Sequence, residues 1–107
     1  MKLVIIESPY AGDVEANVAY ARRCVRDSLL RCEAPLASHL LYTQDGILSD
    51  DIPNERQQGI AAGLAWGMVA QLTAVYTDRG ISDGMKQGIA AAEALGRPIE
   101  YRKLNRT

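Results

Sequence analysis

Lys2-Leu3-Val4-Ile5-Ile6-Glu7-Ser8-Pro9-Tyr10-Ala11-Gly12-Asp13 decides the fold: a short, β-branched apolar run is followed at once by a turn. A run that is apolar at successive positions, rather than alternating, is the mark of a parallel strand buried on both faces. Asp13 ends the turn in position to cap a helix, predicted over residues 14–31. Val14, Val18, Ala21, Val25, Leu29 and Cys32 recur at helical spacing and predict its buried stripe. Arg22, Arg23, Arg26 and Arg31 fall mostly elsewhere and read as a solvated face, because long cationic side chains cover a helix while holding their charges in water.

The same alternation continues down the chain. Residues 34–37 form a weakly marked second strand. Residues 38–52 read as a long connection carrying His39, Tyr42, Gln44, Asp45-Gly46 and Asp50-Asp51, and loops of that length in small domains are commonly functional. Asp51 is the predicted cap of a second helix ending near residue 68, with Pro53 in the first turn, where a missing N–H costs little. Gly59, Gly63 and Gly67 stand four apart on that helix and share one face. Each costs about 1 kcal/mol relative to Ala, so the stripe signals a close approach, either to the domain's own sheet or to a second subunit. Residues 72–77 are the most strand-like segment, residues 83–95 a third helix closed by Gly96, and residues 98–102 the last strand. Strands alternating with helices predict one α/β domain over residues 1–107, a parallel sheet covered by helices on both faces.

Composition narrows the function classes. The chain has 107 residues, 48% of them hydrophobic, enough for one domain with a real core but small enough to gain from a partner subunit. A net charge of -1 provides no basic excess for a phosphate backbone, so no nucleic acid partner is expected. The N-terminal apolar run is too short to span a membrane and lacks the cleavage region of a signal peptide, so a cytoplasmic protein with no membrane partner is expected. Cys24 and Cys32, if on one helix, lie roughly 12 Å apart along its axis, beyond the reach of about 7 Å that a disulfide allows. Two thiols and the single His39 do not make a zinc site, and neither metal nor other cofactor is expected.

Open parallel sheets bind ligands beyond the carboxyl ends of their strands, near the point where strand order reverses. Residues 8–13, 38–51 and 78–84 converge there. In the first segment Gly12 precedes a helix N-terminus, whose N–H groups and dipole suit an anion or a hydroxyl-rich ligand. It is neither a G-x-G-x-x-G fingerprint nor a P-loop. In the third, Ser82 or Asp83 caps the helix, while Gly80 and Gly84 let the backbone approach a bound group. Tyr10 and Tyr42 are available to stack on a base. His39 faces the same region, although a single histidine is commonly structural.

Four motifs then carry a resemblance: Ser-Pro-Tyr-x-Gly-Asp-x-x-x-Asn-x-x-Tyr-Ala from Ser8, Ser-His-Leu-Leu-Tyr-Thr from Ser38, Gly-Ile-Ser-x-Gly-Met from Gly80, and Ala-x-x-Leu-Gly-Arg-Pro ending at Pro98. Over nearly its whole length the chain resembles the nucleoside 2-deoxyribosyltransferase-like superfamily, and within it small relatives from bacteria and phages. The resemblance implies a flavodoxin-like (Rossmann-like) parallel sheet of about four strands, usually in a homodimer with sites near the subunit interface. It implies a nucleoside or nucleotide ligand, since enzymes of that superfamily cleave or exchange the N-glycosidic bond of deoxynucleosides or their 5′-monophosphates. It sets Tyr10 and Gly12 against sugar or base and matches Ser82 to a phosphate-contacting serine. The candidate ligand-binding set is Ser8, Tyr10, Gly12, Asp13, His39, Tyr42, Asp78, Ser82, Gly84 and Met85.

One departure bears on chemistry. Counting back from Leu95-Gly96-Arg97-Pro98 sets Gly88 where the enzymes carry the glutamate that attacks the anomeric carbon, and glycine has no nucleophile. Gln87 cannot supply negative charge, and Glu93 lies about one and a half turns further on. Asp83, near the helix start, is the candidate for a relocated catalytic carboxylate. A pair of carboxylates poised across a sugar is not evident. The expectation is a nucleotide- or nucleoside-binding protein that senses or sequesters its ligand. The alternatives are an N-glycosidase or deoxyribosyltransferase with a relocated carboxylate, and a partner-binding module using the glycine face.

Overall fold

The computed structural model describes residues 1–104. Its elements are β1 (Leu3–Glu7), α1 (Val14–Leu30), β2 (Ala34–Leu36), α2 (Ser38–Leu41), α3 (Pro53–Gly67), β3 (Leu72–Tyr76), α4 (Asp83–Ala94) and β4 (Ile99–Arg102). All four strands are parallel in the order β2-β1-β3-β4, so the chain steps outward to β2 and returns past β1 to β3. Right-handed crossovers then put α1 on one face and α3 and α4 on the other. The expected α/β sheet covered on both faces is what the chain builds.

Strand parity divides the two faces. Val4, Ile6, Ala74 and Tyr76 pack with Tyr20 and Cys24 in the core beneath α1, and Ile5, Glu7 and Thr73 therefore face α3 and α4. The buried face of α1 is Asn17, Tyr20, Ala21, Cys24 and Ser28, a stripe rotated from the predicted one. Val14 is 40% and Leu29 51% exposed, and Cys32 lies exposed past the helix end. The reason is that the polar members of the buried face all find partners. Asn17 Nδ2 donates to the carbonyls of Tyr10 and Ala11 at 3.0 and 3.1 Å, Tyr20 donates to Asp78 at 2.7 Å, and Ser28 donates to Glu33 at 2.8 Å. A hydrogen-bonded polar group is buried at little net cost, which apolar counting cannot register.

Several local expectations are corrected. The 38–52 connection contains α2. Ile52 rather than Asp51 is the N-cap of α3, without a side-chain cap, although Pro53 does open the helix. Of the two caps expected for α4, Ser82 is the one used, its Oγ accepting from Met85 N at 3.2 Å. Gly96 follows α4 with φ +68°, the left-handed conformation a helix stop favours. Cys24 and Cys32 are both free thiols. Among the described residues no helix is long and apolar enough to cross a membrane, and no group of three His, Cys, Asp or Glu is arranged to hold a metal ion.

The glycine stripe serves packing within the chain. A Cβ at Gly63 would lie 2.5 Å from Ser38 Oγ and 3.0 Å from Ser38 Cβ, and one at Gly67 would lie 3.3 Å from the Arg97 guanidinium. Gly63 thus lets α3 lie directly on the start of α2. Gly63→Ala is expected to lose about 1–3 kcal/mol through overpacking, against the helix propensity it gains. Urea denaturation should show this, with Ser38→Gly in the same chain recovering most of it; a Gly63→Ala protein as stable as the parent would remove the packing explanation.

Candidate functional site

Beyond the carboxyl ends of β1 and β3, where strand order reverses, the α3–α4 face opens into a cleft of about 820 Å³. That position and size are those of ligand sites in open α/β sheets. Its walls are the 8–12 turn after β1, α2 with the loop behind it, one side of α3, and one side of α4 from its cap at Ser82 to Arg97 beyond its end. Three short βα connections and the glycines of α3 bring these walls together.

Of the predicted residues, Ser8, Tyr10, Gly12, His39, Tyr42, Ser82, Gly84 and Met85 line the cleft. Ser8 is buried, and its Oγ shares a 2.6 Å hydrogen bond with His39 Nε2. Burial pushes the His39 pKa down to about 4, so its ring is neutral at pH 7. Thr43 Oγ1 donates to the His39 carbonyl at 2.7 Å, and Tyr42 OH accepts from Trp66 Nε1 at 2.8 Å. Both aromatic candidates thus stand on the wall, with Tyr42 held from behind by α3.

Asp13 and Asp78 do not reach the cleft. Asp13 Oδ1 accepts from Ala16 N at 3.2 Å as the cap of α1. The Asp78 carboxylate accepts from Tyr20 OH at 2.7 Å and from Leu104 N at 2.9 and 3.1 Å, which commits it to structure. Asp83, the candidate catalytic carboxylate, sits at the rim with its side chain fully exposed and 3.9 Å from Lys86 Nζ. A carboxylate in open water is not held in place over a bound group as a catalytic residue must be.

Asp50 and Glu55 also line the cleft, Asp50 lying 3.9 Å from Arg56 and Glu55 accepting from Ser49 N at 3.1 Å; the remaining carboxyl, Glu7, is one the motifs did not single out. Glu7 ends β1 on the same side as Ile5, and both line the cavity. Among the described residues no hydrogen bond reaches the Glu7 carboxyl. It lies directly over Gly88: a Cβ there would fall within the carboxyl group, 2.7 Å from its farther oxygen. Burial raises the Glu7 pKa to about 8, while the positive charge of Arg97 works in the opposite direction without forming an ion pair. Arg97 is itself occupied, donating from Nε to Thr73 Oγ1 at 2.8 Å and from Nη1 to the Gly67 carbonyl. At neutral pH Glu7 is therefore a largely protonated acid. Strand parity was the available signal, since residues 3, 5 and 7 of β1 share a face, and an acidic residue there must be buried against α4 or open to a cleft.

The parallel α/β sheet is a fold this chain shares with a solved enzyme structure. The solved structure of a 2-deoxyribosyltransferase from the psychrotolerant bacterium Bacillus psychrosaccharolyticus, described as a biocatalyst for nucleoside synthesis, matches with a TM-score of 0.67. The match covers 98% of this chain and 74% of that one at 16% sequence identity, so the fold is what they have in common. The chain belongs to the family described as Domain of unknown function (DUF7768), whose model matches residues 2–102. Among curated proteins there is no match.

Proposed function

We propose that this protein binds a nucleoside or nucleotide in the cleft above β1 and β3. One observation carries the reading: the 8–12 turn, the His39–Thr43 wall and the capped start of α4, drawn from three separate βα connections, line one cavity. Tyr10 and Tyr42 supply faces for a base. Gly12, with φ +102°, and the N-terminal turns of α1 and α4 supply N–H groups for a sugar hydroxyl or phosphate. The motif resemblance and the shared fold point to the same ligand class. Leu64, Trp66, Met68 and Val69, between 48% and 69% exposed at the outer end of α3, support a homodimer built over that edge of the site.

Gly88 deprives α4 of a nucleophile, which favours a protein that senses or sequesters its ligand in the cytoplasm. A second reading, cleavage of the glycosidic bond, is favoured by the Glu7 carboxyl lying over that glycine. Calorimetry with a panel of deoxynucleosides, ribonucleosides and their 5′-monophosphates tests the binding both readings require. At least one should bind, and Tyr10→Ala should weaken it about 10–100-fold, the worth of about 1–3 kcal/mol for stacking on a base. Absence of heat at millimolar ligand, or unchanged affinity in Tyr10→Ala, would count against this site.

A further inference from the structure

We infer that Glu7 is the catalytic residue of this cleft, acting as a general acid on the leaving base of an N-glycoside. The inference rests on the nucleoside reading of the cleft and names the group that would make it an enzyme site.

The geometry carries it. Glu7 is placed by a central strand, β1, whose register against both β2 and β3 fixes its backbone. Its carboxyl faces the cavity beside Ile5 and takes no hydrogen bond from the described residues. An acid that no neighbour satisfies, at the floor of a cleft, is free to meet a group brought in from outside. Gly88 is what allows this. Any side chain there would begin inside the space the carboxyl fills, so α4 is built to pass close under Glu7 without displacing it. A glycine within α4 carries a helix cost of about 1 kcal/mol, and the structure shows what the opening holds. Arg97 is turned away onto Thr73 and Gly67, so it forms no ion pair that would fix Glu7 as a spectator anion.

The pKa of about 8 agrees with that role. A general acid works best when its pKa lies near the working pH, for then it is both protonated and able to give up the proton. The Glu7 O–H proton passes to an acceptor nitrogen or oxygen of the leaving base while the C1′–N bond breaks, and the bonding pair stays with the base. Water then forms the new C1′–O bond, and its surplus proton returns to the Glu7 carboxylate. The sum consumes one water, releases free base and the sugar (its 5-phosphate where the substrate is a monophosphate), and restores the acid, with no other co-reactant. The substrate class is a nucleoside or nucleoside 5′-monophosphate whose base offers a hydrogen-bond acceptor towards β1.

The test uses the full chain with deoxyadenosine, deoxyguanosine, deoxycytidine, thymidine and their 5′-monophosphates. Free base is followed by chromatography and binding by calorimetry in parallel. At least one compound should yield free base. Glu7→Gln, which keeps the size and neutrality of the buried acid, should slow release about 10²–10⁴-fold while affinity changes by less than about threefold, a fold-change worth under 1 kcal/mol. The parent rate should fall as pH rises through about 8. Gly88→Ala, which forces the carboxyl aside, should lower the rate while leaving the circular dichroism spectrum unchanged.

Binding without base release from any compound would overturn the inference and leave the nucleoside reading standing. Release at the parental rate by Glu7→Gln would overturn it too, and a rate that climbs through pH 8 would make Glu7 an ionised nucleophile instead of an acid. Failure of every compound to bind or react would remove the nucleoside reading and this inference together.

Discussion

Glu7→Gln is expected to remove most of the loss of stability that the parent protein shows between pH 6 and pH 9. The ordinary Glu7 pKa of 4.5 becomes about 8 in the fold, so between those values the native state holds a proton that the unfolded chain has released. By linkage, stability falls as pH rises wherever the native state binds more protons. The contribution of the neutral acid is complete below about pH 4.5 and lost as pH climbs through 8. Each tenfold gain in proton affinity is worth about 1.4 kcal/mol, and partial access to the cleft reduces the whole to about 2–4 kcal/mol. Glutamine does not ionise, so urea denaturation of Glu7→Gln should give a nearly flat profile across this range and a protein more stable than the parent at pH 9. His39 acts on the acid side with the opposite sign. Its pKa is lowered from 6.5 to about 4, so stability is lost as pH falls from 6.5 towards 4, and the two groups oppose each other between pH 4.5 and 6.5. A Glu7→Gln profile as steep as the parent's above pH 6.5 would contradict the assignment of a buried, protonated Glu7.

Glu33→Ala is expected to cost about 2–4 kcal/mol at pH 7, because the buried Arg102 guanidinium loses its buried partner and keeps only the half-exposed Glu100 carboxylate, 3.0 Å from Nε. The Arg102 side chain is 2% and that of Glu33 13% exposed. Two parallel bonds join them, from Nη1 at 2.8 Å and Nη2 at 2.7 Å. Ser28 adds a third bond to the same carboxylate at 2.8 Å, and Tyr76 OH accepts from Arg102 at 3.2 Å. The pair ties the end of α1 to β4 and lies outside the cleft, so ligand affinity should survive while stability falls. The hydrogen bonds from Arg102 hold the Glu33 carboxyl below its ordinary pKa. A lowered acid contributes stability that is present above about pH 4.5 and lost as pH drops below it, so the gap between parent and Glu33→Ala should narrow in acid. Replacing both partners together, as Glu33→Leu with Arg102→Met, should cost less than the single change, because no orphaned charge remains. A loss under about 1 kcal/mol in Glu33→Ala would mean that Glu100 and water together satisfy the guanidinium.

How far the sequence led differs between backbone and side chains. β1, α1, β3 and α4 were legible because each carries its own punctuation: Asp13 and Ser82 as caps, Gly96 as a stop, and unbroken apolar runs for the buried strands. The cleft was legible in outline because topology alone sends the three βα turns to one edge. Asp78 and Asp83 stand at the right end of β3, but what separates a structural from an exposed carboxylate is the partner across the fold. Tyr20 reaches Asp78 only because α1 is rotated from the stripe its apolar residues suggest. In the sequence Glu7 ends an apolar run; parity sets it on the face of Ile5, but a strand buried on both faces has no alternation to show what that face meets. At Gly88 the sequence shows only the absence of a nucleophile. That its vacancy is filled from β1 is a contact between residues 81 positions apart, which no local pattern encodes.

The binding of a nucleoside in this cleft is tested most directly by following backbone amide NMR signals as deoxynucleosides and their 5′-monophosphates are added. Saturable shifts should concentrate in Ser8, Tyr10 and Gly12, in residues 39–43, and in Ser82 to Gly88, with the exposed Arg22–Arg26 face of α1 unmoved. Shifts centred on that α1 face, or none at millimolar ligand, would contradict a nucleoside site above β1 and β3.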